Sequence, residues 1–333
     1  MHMNVEKSDD TQLHSKTDSL GIFASVIFGN WSRYIPFILL LIVFVVVSLV
    51  VPYFLTPTNL VSVLVQTSTL ALLAIGQAAV LILGGIDLSM PGTMALGAIF
   101  GAMFMRDGGS PIIAGLIMIA VPVILGMING VAVSYFNMIP FVVTLAMQAI
   151  TGGAAILITN QISISNLPKS FTGSVVGQVG GLPIPILIVV VVTILVQLFM
   201  TRSIYGRWLY ATGTNIRTAL VSGVPTKKVV FLTYAFAGLM AGLAAIILTS
   251  RLASASPQMG KDALVMDIIA SAAVGGVSTM GGVGTALNAV VGAIIITLIS
   301  NVMNMANVSY YLTLVIKGAI IVAVVAIDAI RRR

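Results

Sequence analysis

IPFILLLIVFVVVSLVVPYF, residues Ile35–Phe54, contains no charged side chain. Wound into a helix at 1.5 Å per residue it reaches about 30 Å, the thickness of a bilayer's hydrocarbon layer. Nine further apolar segments follow it: Leu60–Leu83, Gly92–Met105, Pro111–Tyr135, Ile139–Thr159, Pro183–Met200, Val229–Thr249, Ala263–Gly275, Ala286–Met303 and Val308–Ile330. The composition of the 333 residues agrees, with 59% hydrophobic and 8% charged, where a soluble domain carries about 25% charged. Mean hydropathy is +1.13. A soluble globular enzyme is excluded, and so is disorder, because a chain this apolar has ample surface to bury. The sequence predicts an all-α, polytopic membrane protein of about ten transmembrane helices.

Cysteine is absent, which removes disulfides and thiol chemistry and takes thiolate zinc sites with them. The net charge of +7 would suggest a nucleic-acid partner in a soluble chain. Beside membrane helices basic residues record topology instead, so the implied partner is the lipid bilayer, with no nucleic acid.

Residues 1–34 are polar and contain Glu6, Asp9, Asp10 and Asp18, unlike the basic start of a secretory signal. They read as a cytoplasmic amino-terminal tail, 35–330 as the transmembrane domain and 331–333 as a cytoplasmic carboxyl end. With the amino terminus inside, the inner side holds Lys7, Lys16, Arg33, Arg202, Arg207, Arg217, Lys227, Lys228, Arg331, Arg332 and Arg333. The outer loops hold only Arg106, Lys169, Arg251 and Lys261, and Lys317 falls within the last span. Cytoplasmic loops retain the positive excess, so both termini are expected inside. Six spans then precede the basic loop 201–228 and four follow it. Trp31 and Trp208 fall at the inner interface, where amphipathic rings sit.

Gly92–Met105 and Ala263–Gly275 are too short to cross, and each adjoins a glycine-rich polar stretch, Gly84–Thr93 and Gly275–Thr285. Two short broken helices are expected there, packed against protein or a water-filled path. The likeness of the two stretches suggests an internal repeat. GxxxG spacings at Gly97–Gly101, Gly126–Gly130 and Gly238–Gly242 permit close helix approach.

Asp87 is a functional candidate, since a carboxylate at a membrane helix end is costly unless paired or hydrated. It is equally suited to cap the helix that follows. Asp267 has no evident partner, and Lys317 is expected to face a polar group or cavity inside the bundle. Ser62, Gln66, Thr69 and Gln77 share a helical face, and Thr297, Asn301 and Asn304 form a second polar stripe. Gln66, Gln77, Asp87, Ser89, Asn129, Gln148, Asn301 and Asn304 are candidates to line a translocation path; interhelical hydrogen bonding would explain them equally. In the basic loop, Thr214 can cap a short helix from Asn215 to Ser222, with Ile216, Ala219 and Leu220 on one face, Gly223 as terminator and Pro225 enforcing the stop. Such a helix suits docking to another protein or lying in the lipid interface.

Gly84-Gly85-Ile86-Asp87-Leu88-Ser89, then Gly206-Arg207 through Tyr210-Ala211, Gly213, Asn215 and Ser222-Gly223-Val224, then Ser250-Arg251-Leu252, and last Gly275-Gly276 through Gly281-Gly282-Val283-Gly284-Thr285 stand in the order seen in permeases of ribose-type sugar ABC importers. From about Ile35 to Ile330 the chain resembles that family. The resemblance implies a type II-like importer permease of the bacterial cytoplasmic membrane, which moves a monosaccharide and performs no bond chemistry. It implies three partners: a cytoplasmic ATP-binding subunit, an extracytoplasmic sugar-binding protein, and a second permease subunit. It also places a coupling helix at Thr214–Gly223, so that ATPase docking falls to Gly206, Arg207, Gly213, Thr214, Asn215, Arg217, Leu220, Ser222 and Gly223. The sequence departs from its relatives at Ile216 and Arg217, usually acidic, at Leu220 and Val221, where a basic residue is usual, and at Met90-Pro91, which replaces a small-residue pair.

No GxxxxGK[ST] phosphate loop occurs, so no metal or nucleotide site is expected here; ATP and Mg belong to the partner ATPase. The alternative is an ion-coupled secondary transporter, which also uses broken helices. It would have to work with Asp87, Asp267 and Asp328.

Overall fold

Proline marks where six of these helices begin. In the computed structural model, which describes residues 34–331, α1 (Ile35–Val50), α2 (Pro57–Ile82), α3 (Met90–Arg106), α4 (Pro111–Ser134), α5 (Pro140–Thr159) and α7 (Ile184–Arg202) each carry proline in the first two positions. There the missing N–H has no intrahelical partner to lose. The remaining elements are α6 (Lys169–Val176), a two-stranded antiparallel hairpin of β1 (Gln178–Val179) and β2 (Leu182–Pro183), α8 (Ile204–Thr214), α9 (Ile216–Val221), α10 (Thr226–Leu252), a 3₁₀ turn (Pro257–Gly260), α11 (Asp262–Val274), α12 (Ala286–Met305) and α13 (Tyr310–Arg331). The tail 1–33, with Trp31, and Arg332 and Arg333 lie outside the described residues.

Six helices, α2, α4, α5, α7, α10 and α12, are long and apolar enough to cross a membrane. The apolar parts of α1, α11 and α13 are shorter. All ten expected segments are helices, and the basic loop folds as α8 and α9. The stretch between Thr159 and Pro183, expected as an outer loop, instead holds α6 and the hairpin. An isolated bridge ties it to the segment after α10: Ile164 N donates to Ala255 O at 2.8 Å and Ala255 N to Ile164 O at 2.9 Å.

α2 is the axis of the bundle. Of its most apolar window 89% is buried, against 22% for α4 and 28% for α7, so apolar side chains on α2 meet protein while most of those on α4 and α7 face outward, toward lipid. α10 packs against α2, and on its other side α10 meets α3 and α4 almost without intervening side chains. A Cβ on Gly126 or Gly238 would run into the carbonyl oxygens of Tyr234 and Pro122. On Gly242 it would stand 2.6 Å from Ile119 Cα, and on Gly130 2.8 Å from Phe231 O. Gly97 and Gly101 receive Pro122 and Met118 of α4 in the same way. All three GxxxG spacings therefore mark one interface, where close backbone approach gives the dispersion contact that holds helices together in lipid.

The two glycine-rich stretches adjoin their short helices from opposite ends, as the sequence order requires. The first glycine-rich stretch precedes the short helix α3, whereas the second follows the short helix α11 and precedes the 20-residue α12. α3 starts inside the bundle, because Gly92 N donates to the side chain of Gln148, the ninth residue of α5. The chain also re-enters after α10: a Cβ on Gly260 would stand 3.1 Å from Pro91 O and 3.1 Å from Ala95 Cβ, in the first turns of α3.

Candidate functional site: the α8–α9 segment and the two glycine breaks

The basic loop ends in a small exposed helix. Asn215 is its N-cap, accepting from Arg217 N and Thr218 N at 3.0 Å each. The cap is therefore not Thr214, as expected, because Thr214 closes α8 and its hydroxyl donates to Tyr210 O at 2.9 Å. α9 is accordingly shorter than the predicted Asn215–Ser222. Gly223 terminates it with φ 81°, the left-handed conformation glycine adopts at no steric cost. Ala219 is buried. Ile216, Leu220 and Val221 are 54%, 62% and 90% exposed, and Arg217, Ser222 and Gly223 are exposed with them. Apolar groups so open beside an arginine suit either a protein partner or the lipid interface.

α8 anchors this surface to the bundle. Ser203 caps it, accepting from Gly206 N at 2.9 Å, and Gly206 is buried where a Cβ would overlap the Met200 carbonyl. Arg207 is exposed and Trp208 half-buried. Tyr205 Oη lies 2.8 Å from Thr233 Oγ1 and donates to Val229 O at 3.2 Å, both on α10. Burial pushes the Tyr205 hydroxyl up to about 12 and raises that of Tyr210, so both remain neutral hydrogen-bond donors.

At its far end α8 touches both glycine breaks. A Cβ on Gly213 would overlap Ile82 O, the end of α2, and stand 3.0 Å from Gly282 N. Gly282 N itself donates to Ile82 O at 2.8 Å, and a Cβ on Gly281 would lie 3.2 Å from Gly84 Cα. Tyr210 Oη donates to Gly284 O at 2.7 Å. The end of α2, the end of α8 and the loop 275–285 thus cross backbone to backbone. The 275–285 loop can enter that crossing because Gly276, Gly281, Gly282 and Gly284 take φ of 84°, 90°, 74° and 148°.

The structure brings three of the polar candidates together. Asp87 Oδ1 accepts from Ser89 N at 2.8 Å and from Ser89 Oγ at 2.6 Å, and Asn129 Nδ2 of α4 donates to that hydroxyl at 2.9 Å. Asp87 therefore shapes the turn into α3 and does not bond the N–H groups of its first turn. That role falls to Gln148, whose Oε1 accepts from Gly92 N and whose Nε2 donates to Gly260 O, both at 2.9 Å. Tyr234 Oη stands 2.8 Å from where a Cβ on Gly85 would lie, and neither it nor Asn129 Oδ1 has a partner among the described residues.

The other candidates lie apart. Gln77 is fully buried in α2, with both amide atoms unpartnered among the described residues. Gln66 bonds Ser62 at 3.1 Å. Asn301 exchanges two hydrogen bonds with Asn59, at 2.9 and 3.3 Å, and Asn304 is exposed. Asp267 and Lys317 are each other's partner at 2.9 Å, joining α11 to α13. Two opposite charges in otherwise apolar spans hint at such a pair, but which spans meet is not written in the sequence. Nothing in sequence announced Tyr210–Gly284 or Gln148–Gly260.

The family described as branched-chain amino acid transport system / permease component matches residues 59–325. The chain belongs to that family. This permease is 34% identical to the D-allose transport system permease protein AlsC of Escherichia coli over 90% of its own length and 92% of the relative's. It is 34% identical to the ribose import permease protein RbsC of Bacillus subtilis, over 88% and 91%. Against the L-arabinose ABC transporter permease protein AraH of Azospirillum brasilense the identity is 28%, over 88% and 86%. No solved structure matches it. A permease component is the transport subunit of an ABC importer and not itself an enzyme; ATP hydrolysis belongs to a separate ATPase.

Proposed function

We propose that this permease imports a monosaccharide across the bacterial cytoplasmic membrane, pairing with a second permease subunit and receiving its sugar from an extracytoplasmic binding protein. The α8–α9 end of the bundle faces the cytoplasm and the hairpin end faces out. The carrying observation is the crossing of α8 with both glycine breaks. An ATPase that hydrolyses Mg-bound ATP and seats on Ile216, Arg217, Leu220, Ser222 and Gly223 of α9 moves α8. Gly213 then presses on the end of α2, and Tyr210 pulls on the loop between α11 and α12. Both broken segments feel one displacement, which supports alternating access in which this chain is the gate. The pairing of Asp267 with Lys317 and of Asp87 with Ser89 speaks against these carboxylates as ion-coupling sites.

The test is uptake by proteoliposomes holding the permease with its ATPase and binding protein, using radiolabelled D-ribose, D-allose and L-arabinose as probes. ATP-dependent uptake of at least one is expected, abolished by omitting the ATPase. Uptake that runs on an ion gradient without ATP would overturn the reading.

A further inference from the structure

The segment after α10 brings a lysine to an unexpected depth. Gly260 O accepts from Gln148 Nε2 at 2.9 Å, and Gln148 stands about 12 Å along α5 from Pro140 and about 16 Å from its other end. α11 gives a second ruler. Its 13 residues cover about 20 Å and deliver Gly275 and Gly276 beside Asn288 and Pro36, in the first turns of α12 and α1. Lys261, between Gly260 and α11, therefore lies near the middle of a hydrocarbon layer about 30 Å thick. Counted along the sequence, it reads as an outer-loop residue.

Its side chain is exposed. Among the described residues no carboxylate pairs with it, the buried one on the same helix being held by Lys317. An ammonium at this depth is not stable against lipid tails. The amino-terminal ends of α3 and α11 meet at the same place, across Gly260, and both turn their positive dipole ends toward it.

We propose that Lys261 lines the aqueous path at mid-depth and donates hydrogen bonds to the hydroxyl and ring oxygens of a passing neutral polyol. An ammonium has three donors and no acceptor, so the point favours solutes rich in lone pairs. This inference deepens the importer reading and rests on it.

The chain has no native cysteine, so Lys261→Cys carries a single thiol. The assembled importer in proteoliposomes is treated with a charged, membrane-impermeant methanethiosulfonate. Two controls run beside it: Ile194→Cys on the exposed face of α7 midway along that helix, and Val179→Cys in the hairpin, where the native residues are 54% and 60% exposed. The Lys261 position is expected to react at least tenfold faster than position 194. Trapping with ATP and vanadate should change its rate at least threefold while position 179 stays constant. A rate equal to that of position 194, or one as indifferent to trapping as position 179, overturns the proposal. Lys261→Gln should lower D-ribose, D-allose or L-arabinose uptake at least fivefold with ATPase binding intact, and Lys261→Arg should restore most of it; unchanged uptake in the Gln variant also counts against it. Failure of the importer reading appears separately, as absence of ATP-driven uptake by the unsubstituted protein.

Discussion

The two glycine-rich breaks lie against each other at one end of the bundle yet are built from different materials. Gly84–Ser89 is held by side chains, with Asp87, Ser89 and Asn129 buried and bonded in a row. Gly275–Thr285 turns on glycine backbone, through four glycines at positive φ, tied by bonds to the Ser278 and Thr285 hydroxyls and from Tyr210 to Gly284 O, and it leaves Met280 67% exposed. A buried hydrogen-bonded turn has one low-energy shape, because each group left unbonded costs a desolvation penalty. The comparison teaches that the α2–α3 break is an elbow shaped by a buried side-chain network and the α11–α12 break one shaped by glycine backbone with polar tethers, with α8 bearing on both.

Gly213→Val attacks the contact the two breaks share. Its side chain would overlap Ile82 O, and uptake should fall by more than tenfold; normal uptake would show that α8 does not bear on α2. Asp87→Leu, next in size, strips the elbow of its acceptor and leaves the Ser89 N–H and hydroxyl proton without the acceptor they share, a loss of about 2–3 kcal/mol. A thermal-shift assay in detergent should see it, and Asp87→Asn should lose less. Lys317→Met leaves Asp267 as an uncompensated charge in a mostly apolar setting, which costs about 3 kcal/mol, and the double change with Asp267→Leu should recover most of it. A double variant that loses the sum of the two single losses would show that the two residues act independently. Arg217→Glu on exposed α9 should be the mildest, leaving the melting temperature within about 1 °C because surface changes cost about 0.5 kcal/mol or less, while altering sugar-stimulated ATPase activity severalfold.

How much of this was legible follows from the kind of signal. Segment positions came through because hydropathy is local: Pro57, Pro111 and Pro140 mark helix starts, and the GxxxG spacings named the α3–α4–α10 interface before its partners were known. Gly223 was likewise readable as the terminator of the short helix in the basic loop. Depth was not legible, because sequence counts residues along the chain and not across the membrane. Gly260 and Lys261 look like loop residues until Gln148 is seen to hold them beside α3. The capping choice between Thr214 and Asn215 was also undecidable locally, since either side chain suits the position and only the bond from Thr214 to Tyr210 O settles it. Pairs such as Asp267 with Lys317, fifty residues apart, require the three-dimensional arrangement of the spans.

The flush contact between α4 and α10 has a mechanical corollary. Where side chains interdigitate, neighbouring helices can slip by changing rotamers; where Gly126, Gly130, Gly238 and Gly242 bring main chain against main chain, no such slack exists. The two helices should travel as a single plank, so that a small tilt imposed beside Thr226 arrives undiminished at Arg251, across the full thickness of the bilayer.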